Sequence, residues 1–412
     1  TWDVDYLRDN RDENMGFLSK TLLPDGTEIP GTNFDYNYLQ HRKVDVVSSA
    51  LDFILPFEKY KITAGAKVSF TNTRNGINYD TSDPTLVQDD YFRYKEQIYA
   101  LYADYSREYS ERFSMQLGLR MEHTRTTGIS EAKDTEDKHD YTRLFPTVYL
   151  LYSPTDGHAL NFSFSNRISR PSQNMVNPFP FYQNKYTYAC GREDLKPSYT
   201  YNAELGYTLK NNFNVSAYYS YSDDVFFQVV DLDAETNVTS FLWENFMKTH
   251  AFGLNNSYTF RTKWLQAYAQ HGVSYRRTTS SAVTTSPEEK GWAYDASLRN
   301  TFFFNEKKTL LATLSGSYSS RQYQGIYLMS PTYSVSAGML YRLLDNKLNL
   351  SLNVNNLFVS HSKLETMSNG LKIIADNQFS FTSFRIGVSY TFGGDIRSKG
   401  QRNSNEDIQR RL

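Results

Sequence analysis

The stretch Phe113-Ser-Met-Gln-Leu-Gly-Leu-Arg-Met121 alternates between apolar and polar residues. In an extended strand the apolar side chains share one face, and Ser114, Gln116 and Arg120 share the other. A helix would distribute the same residues around its circumference. The stretch is therefore predicted to be a β-strand that separates an apolar environment from a polar one.

The same alternation recurs along the chain, for example in 62–70, 199–209, 333–341, 348–354 and 384–392. About 15 such strands are predicted from this period of two. They lie near 42–55, 60–74, 92–106, 113–126, 142–152, 158–169, 198–210, 213–230, 239–261, 264–277, 290–304, 308–320, 331–343, 347–358 and 378–392. Most are longer than the roughly 9–11 residues that cross a bilayer at a tilt, whereas soluble strands average about 5–6. Their lengths favour membrane-spanning strands.

The predicted connections also alternate in length if the last strand runs toward the periplasm. Tight turns rich in Asn, Asp, Gly and Pro lie at 56–58, 107–111, 153–157, 211–212, 262–263, 305–307 and 345–346. The longer connections are 75–91, 127–141, 170–197, 231–238, 278–289, 321–330 and 359–377. Outer-membrane barrels have short periplasmic turns and longer external loops, and lipid does not tolerate an open sheet edge. The predicted fold class is an all-β, transmembrane antiparallel up-and-down β-barrel.

Composition agrees with this prediction. The formal net charge is −1, from 44 Lys and Arg against 45 Asp and Glu, so no basic face for nucleic acid is expected. No apolar run approaches the roughly 18 residues of a spanning helix. Aromatic residues make up 16% of the chain. Those near predicted strand ends, such as Tyr60, Trp243, Trp264 and Trp292, suit an interfacial girdle, although any strand is enriched in aromatics.

The sequence contains no recognisable catalytic, cofactor or metal motif, so no enzyme, no cofactor and no metal site is predicted. Cys190 is the only cysteine, which excludes an intrachain disulfide and a cysteine metal cluster. The histidines lack the spacing of metal ligands, and no nucleophile elbow, phosphate loop or dinucleotide fingerprint is present. The acidic segment 231–235 offers carboxylates for calcium, but it lacks the full ligand series and is interpreted as a solvated loop.

Several motifs resemble the C-terminal barrel of TonB-dependent receptors, and more closely the outer membrane protein β-barrel family common in Bacteroidetes. The resemblance covers about 42–394, and Arg192-Glu193 and Ser198 depart from the family pattern. The motifs are Val44-Asp-Val-Val47, Leu51-Asp-Phe53, Gly118-Leu-Arg-Met-Glu122, Leu144-Phe-Pro146, Ser169-Arg-Pro-Ser172, Asn177-Pro178, Gly191-Arg-Glu-Asp-Leu-Lys-Pro197, Glu204-Leu-Gly-Tyr207, Asn355-Asn-Leu-Phe358 and Gly387-Val-Ser-Tyr-Thr-Phe-Gly-Gly394.

The resemblance implies a bacterial outer-membrane receptor that takes up a nutrient, either a chelate, a glycan or a peptide. Such receptors have a 22-stranded barrel with a plug in its lumen, driven by TonB with ExbB and ExbD. The chain is then expected to supply only part of that barrel. We expect 1–41 to be an external loop or lead-in, 42–394 the barrel strands and 395–412 a disordered periplasmic tail. The alternatives are a passive, 16-stranded porin and a structural barrel that partners a surface lipoprotein.

Two groups of residues are candidates for contact with a ligand. The first group consists of charged residues on the predicted lumen face: Arg120, Glu122, Glu204, Arg299, Arg342 and Arg385. They either guide a substrate or solvate the lumen and dock a plug. The second group lies in the long loop 170–197, where aromatic residues beside prolines form a stiff surface: Phe179, Phe181, Tyr182 and Tyr186. They either stack on a ligand or fold back onto the rim.

Overall fold

The computed structural model describes residues 1–30, 32, 34–81, 89–360, 362–377, 381–392 and 408. Its strands are β1 Trp2–Ser19, β2 Phe34–Pro56, β3 Lys61–Thr81, β4 Asp90–Ser110, β5 Phe113–Ser130, β6 Thr135–Tyr152, β7 His158–Ser169, β8 Pro180–Asn184, β9 Thr187–Cys190, β10 Ser198–Leu209, β11 Phe213–Asp233, β12 Val238–Arg261, β13 Leu265–Ser280, β14 Glu288–Phe303, β15 Leu310–Ser319, β16 Gln322–Gln324, β17 Tyr327–Met329, β18 Thr332–Leu343, β19 Leu348–Val359, β20 Ser362–Ser368, β21 Leu371–Asn377 and β22 Ser383–Tyr390. One short helix, α1, spans Gln173–Val176. Among the described residues, no helix is both long and apolar enough to cross a bilayer.

The strands form one large antiparallel meander. In the described part of the chain the main sheet has 18 strands, of which β8 and β9 belong to a loop and the other 16 follow one another in chain order. Within the described residues, β1 pairs with β2 alone and β22 with β19 alone, so these two strands are the edges of the meander. The predicted all-β, up-and-down fold class is confirmed.

The apolar faces of the strands point outward. On β5, the exposed fractions of Leu117, Leu119 and Met121 are 40%, 51% and 41%, whereas that of Glu122 is 7%. A soluble sheet would bury the leucines and expose the glutamate, but a barrel in lipid reverses the two faces. The alternation of Phe113–Met121 therefore separates lipid from the lumen side of the wall.

Residues 1–41 were predicted to be an external lead-in, but much of this segment is strand. Trp2–Ser19 forms β1, which pairs residue by residue with β2 from Trp2↔Leu51 to Ser19↔Phe34. The apolar–polar alternation that predicts a strand is weak here because most of β1 is polar on both faces. Beyond the bilayer a strand can keep its backbone hydrogen bonds while both of its faces meet water, so alternation disappears but pairing does not.

For the same reason, several external loops are shorter in the structure than the sequence predicted. The connection predicted at 127–141 is a turn at 131–134, because β5 and β6 continue as a paired ribbon to Ser130↔Thr135. The connection predicted at 231–238 is likewise a turn at 234–237, at the end of β11 and β12. On the other side the predicted tight turns are found, for example between β10 and β11, where Lys210 and Asn211 adopt positive φ.

Two external elements cover the open end of the meander. One is the loop 170–197, which contains α1, β8 and β9. The other is a four-stranded sheet of β16, β17, β20 and β21. This small sheet packs Ile326 and Tyr327 against Val229, Val230 and Met247 of the β11–β12 ribbon. The predicted tail 395–412 lies outside the described residues except for Ile408, which is buried against Val44 and Val46 of β2.

Candidate ligand site at the mouth of the barrel

The loop 170–197 folds inward against the barrel wall. Its aromatic residues pack on the face of β2 that is opposite the lipid-facing side chains. The Tyr36 and Tyr182 ring centroids are 5.0 Å apart, and those of Tyr38 and Phe181 are 5.8 Å apart. Phe179 is only 2% exposed and contacts Phe92 of β4 edge to face. The inner wall and the loop therefore share one aromatic core.

The backbone of the loop is held tightly at Gly191. A Cβ there would lie 2.6 Å from the carbonyl oxygen of Met175 and closer still to that of Asn177. Only glycine permits this approach between the strand β9 and the helix α1. Cys190 donates from Sγ to the carbonyl oxygen of Pro178 at 3.1 Å, and burial raises the pKa of this thiol. Cys190 is therefore a packed residue and not an activated nucleophile.

The other side of the loop is attached to the β11–β12 ribbon. Strand β9 pairs in parallel with β12, from Thr187↔Thr239 to Cys190↔Leu242. Trp243 and Phe226 pack against the aromatic core, with ring centroids 6.4 Å apart. The loop thus connects the β2–β4 wall with the β11–β12 ribbon across the open end of the meander.

A cavity of about 290 Å³ remains between the wall and the loop. The wall side is polar, and its contribution consists of Arg11, Glu13, Gln40 and Arg42, together with Tyr38. The opposite side consists of Phe181, Ala189, Cys190 and Gly191 from the loop, Asn174 from α1 and Trp243 from β12. The cavity therefore combines aromatic rings, mainly Phe181 and Trp243, with hydrogen-bonding groups on the wall and the amide of Asn174 beside the rings.

The charges around this cavity are compensated within the wall. Arg42 is 5% exposed, and its Nη2 lies 3.2 Å from Oδ2 of Asp9. Nη1 of Arg11 lies 3.8 Å from Oε1 of Glu13. The amide of Gln40 donates to Oδ1 of Asn75 at 2.9 Å. The wall thus presents oriented donors and acceptors without an excess of either charge.

The predicted lumen residues Arg120 and Glu122 meet at the base of the loop. Nε of Arg120 lies 2.5 Å from Oε1 of Glu122. Nη2 of Arg170, the first residue of the loop, lies 2.6 Å from Oε2 of Glu122 and donates to Thr124 at 3.2 Å. Its Nε is 4.0 Å from Oε2 of Glu96. Arg170, Glu122 and Glu96 are all at least nine-tenths buried, so this ion cluster anchors the loop to β4 and β5.

The remaining predicted candidates do not come together. Glu204, Arg299, Arg342 and Arg385 lie on four separate strands, β10, β14, β18 and β22. Among the loop aromatics, Phe181 lines the cavity and Tyr182 packs beside it, but Tyr186 is 49% exposed and lies outside the lining. Trp243, predicted in the interfacial girdle, lies at the cavity instead.

The acidic segment 231–235 uses its carboxylates in hydrogen bonds within the protein. Asp233 accepts from the backbone N–H of Glu235 at 2.9 Å and from the hydroxyl of Thr236 at 2.7 Å. Asp231 accepts from the amide of Asn369 at 2.8 Å. Over the part of the chain that the structure describes, no group of His, Cys, Asp and Glu residues is placed to hold a metal ion.

Comparison with known families identifies the architecture. The family model described as "Outer membrane protein beta-barrel family" matches residues 1–390. The chain belongs to this family. The predicted resemblance to this family and the predicted location in the bacterial outer membrane are thereby confirmed. No curated protein matches this outer membrane β-barrel.

Solved structures share the fold of this outer membrane β-barrel at low sequence identity. The ferric yersiniabactin uptake receptor FyuA from Yersinia pestis is 15% identical, with a TM-score of 0.62 over 95% of this chain and 59% of its own. The copper transporter OprC is 13% identical, with a TM-score of 0.61 over 93% and 65%. The ferripyoverdine receptor of Pseudomonas aeruginosa is 16% identical, with a TM-score of 0.58 over 94% and 54%. The chain thus spans between about half and two thirds of these proteins.

Sequence reasoning missed most of the cavity of this outer membrane β-barrel. Arg11 and Glu13 fall in the segment that was predicted to be a lead-in, and Gln40 and Arg42 lie at its boundary with the first predicted strand. Charged and amide residues are common in a polar ribbon, so their presence does not indicate a binding cavity. The one available signal was the alternation Tyr36, Tyr38, Gln40, Arg42, which places large side chains on one face of a strand.

Proposed function

We propose that this chain forms the barrel of an outer-membrane receptor that takes up a nutrient with energy from TonB, ExbB and ExbD. The observation that carries the proposal is the folded-in loop 170–197. Its base is held by the buried Arg170 cluster, and its far side pairs with β12. A passive porin keeps a water-filled path through its mouth. A loop anchored on both sides across that mouth instead favours a site that first holds a ligand and then releases it.

We propose further that the complete barrel contains strands beyond those of this chain. An unpaired edge is not tolerated in lipid, and the outer edges of β1 and β22 require partners. Barrels of about 22 strands enclose a plugged lumen, which agrees with the greater length of the structural relatives. The exposed lumen residues Arg299 and Arg385 would then face a plug domain of the same protein.

The test is uptake in the native bacterium. We would delete the gene, restore it in strains with and without TonB, and measure uptake of labelled ferric chelates, oligosaccharides and peptides. Uptake of one class that requires both the gene and TonB is the expected result. Uptake that requires the gene but persists without TonB would show a passive pore. No loss of any uptake, with co-purification of a surface lipoprotein, would show a structural barrel.

The intact mass of the protein from native outer membranes provides an independent test. A mass well above the 47.7 kDa of this chain is expected, because a plug and further strands add several tens of kilodaltons. A mass close to that of this chain would mean that these strands close their own barrel. TonB coupling would then be abandoned in favour of the passive pore.

A further inference from the structure

The cavity between β1–β2 and the loop 170–197 is held in shape from both sides. Its loop side is immobilised by the close approach at Gly191 and by the pairing of β9 with β12. Its wall side is part of a continuous paired ribbon, in which Arg11 is opposite Arg42 and Glu13 is opposite Gln40. A ligand would therefore lose little affinity to ordering of the protein.

The chemistry of the two sides selects among ligand classes. Phe181 and Trp243 present ring surfaces, which bury the apolar face of a ligand. The amides of Gln40 and Asn174 both donate and accept hydrogen bonds, and the two carboxylate oxygens of Glu13 accept them. A pyranose matches this combination, because one face of the ring is a C–H surface and its rim carries hydroxyls that donate and accept.

The charge balance disfavours strongly charged ligands. Both guanidinium groups of the wall already face a carboxylate, Arg42 with Asp9 and Arg11 with Glu13. An anionic chelate would have to displace Asp9 from the buried Arg42, and a charged peptide terminus would remain uncompensated. A ligand without formal charge displaces no carboxylate and brings no uncompensated charge into the cavity.

We propose that this cavity binds a neutral sugar unit of an oligosaccharide, stacked against Trp243 and Phe181 and hydrogen-bonded to Gln40 and Asn174. The inference deepens the proposed function, because it names the nutrient as a glycan. The volume of about 290 Å³ is near the lower limit of ligand sites, which are roughly 300–1,000 Å³, and accommodates the end of a chain rather than a whole oligosaccharide.

The experiment uses the full-length receptor purified from native outer membrane. Its binding to immobilised neutral gluco-, galacto-, manno- and xylo-oligosaccharides is measured, with ferric chelates and peptides as competing probes. Trp243→Ala removes the ring, and Asn174→Ala removes an exposed amide whose loss leaves the aromatic core intact. The matched control is Trp264→Ala, which removes an exposed tryptophan from a turn at the other end of the barrel.

We expect one neutral oligosaccharide to bind, with a loss of affinity of about tenfold or more in Trp243→Ala and a smaller loss in Asn174→Ala. Trp264→Ala should bind like the wild type. Binding of a ferric chelate or a peptide, and of no glycan, would overturn the proposed ligand class. Glycan binding that is unchanged in both cavity variants would overturn the site.

This outcome is separable from the proposed function. If uptake requires TonB but is the same in Trp243→Ala as in the wild type, the inference fails and the receptor function stands. If the glycan binds through Trp243 but its uptake does not require TonB, the inference stands and energy coupling fails.

Discussion

At the residue scale, the Arg170 cluster attaches the loop 170–197 to the barrel wall. Its guanidinium lies between Glu122 and Glu96, and all three side chains are at least nine-tenths buried. Loss of the Arg170 charge would leave Glu122 with Arg120 alone and would remove a compensating charge from Glu96, and both carboxylates lie in a poorly solvated place. Arg192 in the same loop also forms ion pairs, with Asp194 and Glu244, but its side chain is 49% exposed.

We therefore expect Arg170→Met to lower the free energy of unfolding by about 3–5 kcal/mol. Arg192→Met should lower it by no more than about 1 kcal/mol, since exposed pairs are screened by water. Both are measured by urea unfolding of the full protein in lipid vesicles, together with proteolysis of the loop 170–197. The double variant Arg170→Met with Glu96→Gln should recover part of the loss, because it removes a buried negative charge and keeps the Arg120–Glu122 pair. Equal effects of the two arginine variants would contradict the anchoring role.

A second residue-scale prediction concerns Gly191. In Gly191→Ala the new methyl group meets the carbonyl oxygens of Met175 and Asn177, so α1 or β9 must shift, at a cost of about 1–3 kcal/mol. We expect faster proteolysis within 170–197 and weaker ligand binding. The control is Gly76→Ala on β3, where the nearest atom to a Cβ is a Tyr91 carbon at 3.6 Å. A loop that resists protease equally in both variants would show that the close approach can relax freely.

At the element scale, each strand of the wall has a lipid face and a lumen face one residue apart. On β5, Leu117 is on the lipid face, and Gln116 is on the face of Arg120 and Glu122. An arginine in the lipid face must leave water or distort the bilayer, whereas one on the lumen face stays hydrated. Adjacent positions of one strand therefore provide a matched comparison.

We expect Leu117→Arg to destabilise the folded barrel in vesicles by about 2–4 kcal/mol, and Gln116→Arg to have little effect. The measurement is urea titration of folding, followed by heat-dependent gel mobility. If Gln116→Arg is the more costly of the two, the assignment of faces on β5 is reversed.

At the scale of the whole molecule, the arrangement of the edges distinguishes a larger barrel from one closed by these strands. Ile386 of β22 is opposite Leu352 of β19, and both are exposed on the outer face. Val4 of β1 is exposed as well. Cysteine pairs that share position 386 can therefore report which strand lies beside each edge of β22.

In the full-length protein with Cys190→Ser, we expect Ile386→Cys to cross-link with Leu352→Cys but not with Val4→Cys. The expected result follows if additional strands lie between β22 and β1. Because register is unknown across a closed seam, Val4→Cys is supplemented by Trp2→Cys and Tyr6→Cys, which also lie on the exposed face of β1. Efficient cross-linking of position 386 to any of the three would show that β1 and β22 are neighbours.

The sequence by itself determined the fold class, the faces of the strands and the side on which the tight turns lie. These properties follow from local rules: alternation with period two reports a wall between lipid and water, and turn residues report where the chain reverses. The prediction of strands failed where the two faces of a strand do not differ in polarity. The middle of β1, residues 8–14, and the outer halves of β5 and β6 are polar on both faces, so their sequence looks like a loop although their backbones are paired.

Only the tertiary structure decided the site. The cavity joins Arg11 and Gln40 from one side of the mouth to Phe181 from the loop and Trp243 from β12, residues that are distant in the chain. The ion cluster likewise joins Arg170, which follows β7, to Glu96 of β4 and Glu122 of β5. Their proximity depends on the curvature of the meander and on the inward fold of one loop. Neither property is local, so no residue pattern within a single segment could encode it.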